Sequence, residues 1–210
     1  EVEHLPLITF TEEHSQEEKT FLGLTIPANT DADTSIQRAL DHLFAHQNLA
    51  PFISRQLIQR FITSNPSPAY VRRVAETFER GSYELPNGRD VGDGRRGDLA
   101  ATLCAILLAP EARHAPLTAP SDFGKVREPV LRFAHCARAF RVTSADASKE
   151  QMLRDTTGTG NLNQQPFRSP SVFNFYRPGY VAPSTATGDA DITAPELQIV
   201  SEASHVGYVN

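Results

Sequence analysis

The sequence predicts an all-α protein: an irregular helical bundle with long ordered loops and a minor β-hairpin near the N-terminus. Three observations predict it. Apolar residues recur at helical spacing in successive segments. These segments open on side chains or prolines suited to a helix start. Extended character is confined to LITF and LGLTI within the first thirty residues.

The helices follow in order. Asp33 or Thr34 can cap a helix that carries Ile36, Leu40, Leu43 and Phe44 on one face. Pro51 suits the first turn of the next, with Ile53, Leu57, Ile58, Phe61 and Ile62 along it. The link between the two is short, which predicts an antiparallel helical hairpin. Ser67 and Pro68 make an N-cap and a first helical residue ahead of Tyr70, Val71, Val74 and Phe78. Residues 81–97 read as a Gly-rich loop, and Asp98 caps a central helix, DLAATLCAILLAPEAR, apolar on most sides. A proline-spaced connector leads to EPVLRFAHCARAF. Residues 141–193 form a long irregular region with a short helix at 149–154, and its aromatics (Phe167, Phe173, Phe175, Tyr176, Tyr180) speak for order. A last helix starts at Thr193 and Pro195. The whole, 1–210, reads as a single helical domain.

Composition narrows the function classes. The chain has 210 residues, 40% hydrophobic and 21% charged, with a net charge of −5. That is globular composition, and no concentrated basic face marks a nucleic-acid partner. No run of about 18 apolar residues exists to cross a bilayer. The opening residues carry neither a signal peptide nor a starting Met, so a processed or truncated piece is expected. Cys104 and Cys136 could form one disulfide in an exported chain; two buried free thiols are the plainer reading.

Most motif-like patterns have a plain explanation. His42 and His46 share a helix face, yet Leu43 stands where a zinc protease needs Glu and no third ligand is evident, so no metal or cofactor is expected. Asp90, Asp93 and Asp98 miss the calcium-loop spacing. No nucleophile elbow and no phosphate loop occur. Glu128, Arg132 and His135 align at i, i+4, i+7, where Glu128 and His135 are the candidate catalytic pair; an ion-paired helix face touching another element is the plainer reading. For glycosidase-type chemistry the carboxylates are Glu128, Asp122, Glu196 and Glu202. In SPSVFNFYRPGY, Asn174, Tyr176 and Arg177, with Arg132 on the helix, have the ring, amide and guanidinium chemistry of a substrate-binding surface. The same loop could instead plug onto the helical core.

The strings LDHLFAHQNLAPFISRQLIQRFITSNPSPAYVRRVAETF, RRGDLAATLCAILLAPEAR, FGKVREPVLRFAHCARAF, QQPFRSPSVFNFYRPGY and APELQIVSEAS closely resemble the bacterial family catalogued as domain of unknown function 1800. The resemblance covers nearly the whole chain and is to the C-terminal part of longer members. It implies export to an extracytoplasmic location and a missing N-terminal half as one partner. Members often occur beside an exported family related to sulfatases and phosphatases. No reaction comes with the family. Positions it shares with this chain include Arg55, Asn65, Arg73, Arg113, Arg127, Glu128, Pro170, Asn174, Arg177 and Pro178.

Three functions follow as expectations. The first is an envelope- or polysaccharide-associated binding or assembly module using the 165–182 loop, with a polysaccharide or cell-envelope component as partner. The second is a hydrolase of glycosidic or, less simply, ester bonds. The third is a structural half that supports the missing N-terminal half.

Overall fold

The computed structural model describes residues 8–113, 122–143, 156, 158, 161–165, 167–172, 174–200 and 206. The fold is mostly helical, with a small antiparallel hairpin near the N-terminus. It divides into two compact units, residues 1–52 and 53–210.

In the first unit, β1 (Lys19–Phe21) pairs with β2 (Leu24–Ile26), and Thr20 faces Thr25. Leu22 and Gly23 turn the chain with φ of 45° and 82°, the doubly left-handed turn that matches strand twist. The extended arm predicted in LITF does not form over the described residues 8–10; Lys19–Phe21 supplies that strand instead. α1 (Ala32–Ala45) is capped not by Asp33 or Thr34 but by Asp31, two residues before the nearer of them, whose carboxylate accepts from the Thr34 N–H at 2.8 Å. Its orientation reverses the expected one. Ala32 and Ser35 are buried and Ala39 and His42 half-buried, while Ile36, Leu40, Leu43 and Phe44 are all exposed. β2 packs on α1, and a stripe of small residues lets strand and helix approach where branched side chains would hold them apart.

α2 (Leu49–Phe61) has Pro51 in its first turn, as predicted. In the second unit, α3 (Pro68–Arg80) starts at Ser67, whose hydroxyl accepts from the Tyr70 N–H at 3.1 Å. It ends on Gly81, at φ 69°, with the Arg95 backbone packed where any β-carbon would lie. The 81–97 loop contains a two-residue ladder, β3 (Tyr83–Glu84) with β4 (Asp90–Val91), that its glycine content concealed. Asp98 caps α4 (Leu99–Leu107) by accepting from Ala101 N–H at 2.8 Å. The short α5 (Pro110–Arg113) follows.

α4 packs on α3, and the core holds Ile58, Tyr70, Val74, Ala105, Ile106 and Ala109. Each fully buried aliphatic side chain there contributes about 1.5–3 kcal/mol. The Tyr70 hydroxyl donates to Ile106 O at 2.6 Å, which satisfies a buried carbonyl at the end of α4. Burial, and then the Glu111 charge, push the Tyr70 phenol up to about 12 against an opposing pull from Arg73.

α6 (Pro129–Ala139) is the last long helix. From 156 onward the described chain is irregular, except for α7 (Ala186–Asp189), a 3-10 turn at Pro195–Gln198 where the predicted last helix was to start, and the helical Val206; residues 201–205 and 207–210 of that prediction lie outside the described residues. Asn163, Phe167, Asn174, Ser184 and Asp191 all take positive φ, so the path turns repeatedly. This strap is nonetheless anchored, with Leu162, Tyr176, Ala182, Ala194 and Ile199 buried. The helix predicted at 149–154 lies outside the described residues. Cys104 is half-buried and Cys136 exposed, both free thiols, so neither the disulfide nor the picture of two buried cysteines holds.

Candidate functional site

The strap is tied to the helices by a cluster of charged and polar side chains. Arg60 comes from the last turn of α2, Lys125 and Glu128 from the approach to α6, and Gln164, Tyr176 and Glu196 from the strap. Glu128 Oε1 accepts from Arg60 at 3.1 Å and from the Tyr176 hydroxyl at 2.5 Å. Its Oε2 accepts from the Gln164 amide. Arg60 also donates to the Tyr176 oxygen, and its guanidinium lies 4.6 Å from the Tyr176 ring centre. Tyr176 is 5% exposed. Burial, followed by its bond to Glu128, drives its phenol far above the ordinary 10.0.

Glu128 occupies the N-cap position of α6 without capping it. Gln164 takes that task from outside the helix. Its Oε1 accepts from Val130 N–H at 3.2 Å while its Nε2 holds Glu128. One amide thus closes a helix end and fixes a carboxylate.

A second ion pair lies alongside. Lys125 Nζ reaches Glu196 Oε1 at 2.9 Å and the Arg60 carbonyl at 2.9 Å. Glu196 is 1% exposed. Gln59 donates to Ser64 O and Pro178 O at 2.9 and 3.2 Å. Gln59 Oε1 and Glu196 Oε2 are buried without a donor, and both residues line a small cleft with Arg60, Tyr176 and Pro178. Unmet acceptors cost free energy, so the cluster specifies where the strap sits more than it adds net stability.

A larger cavity, about 420 Å³, opens on another part of the second unit. Arg55, Asn65, Tyr70, Glu111, Asp122 and Phe123 line it together with Pro66 and Pro68. Asn65 is committed to its wall, donating to Thr193 O and Asp122 O at 3.0 and 3.3 Å and accepting from Thr193 N–H at 3.1 Å. Glu111 pairs with Arg73. Burial pushes the Glu111 carboxyl up, but the Arg73 hydrogen bond and charge outweigh it and hold the group below its ordinary value. Glu111 Oε2 remains without a donor. Arg55 is exposed and has no ion-pair partner among the described residues.

Of the residues singled out in the sequence, Glu128 and Tyr176 meet. His135 is exposed, its Nδ1 2.6 Å from Arg127 Nη1. The guanidinium has only protons to give, so Nδ1 is the acceptor. Arg132 lies one turn into α6, half-buried. Asn174 is exposed in a turn, its N–H bonded to Ser171 O at 3.0 Å. Arg177 is exposed, and its backbone N–H donates to Gln198 Oε1 at 2.8 Å. Among the glycosidase carboxylates, Glu128 and Glu196 fall in the cluster, Asp122 in the larger cavity, and Glu202 outside the described residues. The two histidines of α1 do other work: His42 Nε2 bonds Leu22 O at 3.0 Å, and His46 ends the helix with its Nδ1 accepting from Asn48 N–H at 3.2 Å. No group of three or more metal-ligating side chains occurs among the described residues. Sequence reasoning missed Arg60, Gln164, Lys125 and Gln59; the one signal was that Lys125 is among only three lysines in an Arg-rich chain.

Helices, a clamped strap and a polar cavity define a mostly helical module without a transmembrane helix among the described residues. A family model described as Protein of unknown function (DUF1800) matches residues 6–207, and the chain belongs to that family. No curated protein and no solved structure matches it.

Proposed function

We propose that the chain is an extracytoplasmic binding module for a cell-envelope polysaccharide, held in the cavity beside Arg55, Glu111 and Asp122. One observation carries this reading: a concavity of about 420 Å³ in which rings and prolines alternate with groups free to hydrogen-bond. Its volume falls in the range of roughly 300–1,000 Å³ common to ligand pockets. Phe123 and the prolines suit the C–H faces of a sugar, whereas the Asp122 carboxylate can accept from its hydroxyls. Arg55 offers a planar donor for a carboxylate or a ring oxygen. Export rests on the family resemblance. The 165–182 loop contributes differently from the expectation, because Tyr176 is spent on Glu128 and anchors the strap.

Retention on neutral and acidic envelope polysaccharides tests this. Arg55→Ala and Asp122→Ala should each weaken retention about tenfold or more, the loss expected for a charged hydrogen bond. Equal retention by the native chain and both variants would remove the cavity from consideration.

A hydrolytic reading has one observation in its favour: two carboxylates, Glu111 and Asp122, line the same cavity. Glu128 serves that reading less well, since its oxygens already accept from Arg60, Tyr176 and Gln164. If hydrolysis occurs, Glu111→Gln and Asp122→Asn should abolish turnover, and His135→Ala should not.

A further inference from the structure

α6 and the residues around it form a second surface, separate from the cavity and independent of the reading above. From Lys125 to Val142 the basic residues are Lys125, Arg127, Arg132, Arg138 and Arg141, and the sole acid is Glu128. The chain as a whole is acidic, at −5. Glu128 is turned inward by Arg60, Tyr176 and Gln164, so the outer face of α6 carries cations without a compensating carboxylate of its own segment. Leu131, His135 and Arg138 follow one another at helical spacing along that face, Arg127 reaches His135 from just before the helix, and all four are exposed. Large apolar side chains are exposed too, Leu131 (49%) on the helix and Phe140 (78%) and Val142 (52%) at its C-terminal end, next to Arg138 and Arg141 in the chain.

We propose that the C-terminal end of α6 docks on an anionic lipid surface, with Arg138 and Arg141 at the headgroups and Phe140 and Val142 entering the acyl boundary. The charge is complementary to an anionic leaflet, and cations interleaved with exposed Phe and Val are the composition of a segment lying in a membrane interface. An acidic polysaccharide would satisfy the arginines but offers no apolar interior for Val142 and Phe140. A second copy of the chain would set like charges against each other on this face.

Sedimentation of the full chain with vesicles of phosphatidylcholine, with and without phosphatidylglycerol, reads the proposal. The chain should pellet with the anionic vesicles alone and be released as salt screens the attraction. Arg138→Glu combined with Arg141→Glu should weaken binding more than about tenfold, since each cation contributes roughly fivefold and is here reversed. Phe140→Ser should also weaken it, with circular dichroism unchanged in each variant. Failure to pellet with anionic vesicles overturns the proposal. So does unchanged pelleting by Phe140→Ser, which would leave a purely electrostatic partner such as an acidic polysaccharide. A native chain that elutes as a dimer, and as a monomer once Phe140 is Ser, would give the face to self-association and overturn it as well.

Discussion

Glu128 shows how one carboxylate can be worth more as an anchor than as a reagent. It is addressed by a guanidinium, a phenol and an amide that arrive from positions 68, 48 and 36 residues away. Tyr176→Phe removes one of these donors and should lower stability by about 1–2 kcal/mol in urea titration. Glu128→Ala leaves Arg60 without its ion pair and should cost about 1–3 kcal/mol, less than for a wholly buried pair because Arg60 is one-third exposed. The tyrosines set an alkaline limit. Tyr70 and Tyr176 both hold their protons more tightly when folded than at the ordinary 10.0. The unfolded chain therefore releases these protons first, and stability falls as pH rises above about 10, through about 12 for Tyr70. A melting-temperature series across that window, in which Tyr176→Phe flattens the decline, checks the sign. Glu128 and Tyr176 were legible beforehand, one from helical periodicity and the other from an aromatic loop. Arg60, Lys125 and Gln164 were not, because contacts across dozens of residues leave no periodic trace.

At the scale of elements, caps were the most legible features. Ser67 and Asp98 each bond the N–H three residues on, a local geometry that the residue types dictate. Asp98→Ala should cost about 1 kcal/mol, measured by thermal or urea unfolding. Faces were less legible. The apolar periodicity of α1 pointed Ile36 and Leu40 inward, yet Ala32 and Ser35 form the buried side. Side-chain hydrophobicity was read without the distance at which the hairpin needs to pack, and small residues set that distance. Two substitutions separate the orientations. Leu40→Lys should change stability by no more than about 0.5 kcal/mol, whereas Ala39→Leu should cost about 1–3 kcal/mol through overpacking. The reverse ranking would restore the expected face.

For the molecule as a whole, helical periodicity, first-turn prolines and caps were enough to give the fold class, and the N-terminal hairpin was found where extended character was expected, with one strand shifted. The strap was legible as a long irregular, aromatic segment, but its attachment was not. Attachment depends on Asn65 meeting Thr193, Gln59 meeting Pro178 and Lys125 meeting Glu196, and composition alone does not choose such partners. The larger cavity was partly visible through Arg55, Asn65 and Asp122, each marked for other reasons; its shape depends on how the α2–α3 turn faces Asp122 and Phe123.

The separation of those attachments has a kinetic consequence. α3 and α4 are neighbours along the chain and can condense early, whereas the strap must close loops such as the 128 residues between Asn65 and Thr193 before any contact rewards it. Docking of the strap therefore belongs after the rate-limiting barrier. Lys125→Ala should hasten unfolding in a stopped-flow experiment and leave the refolding limb of the chevron nearly where it was.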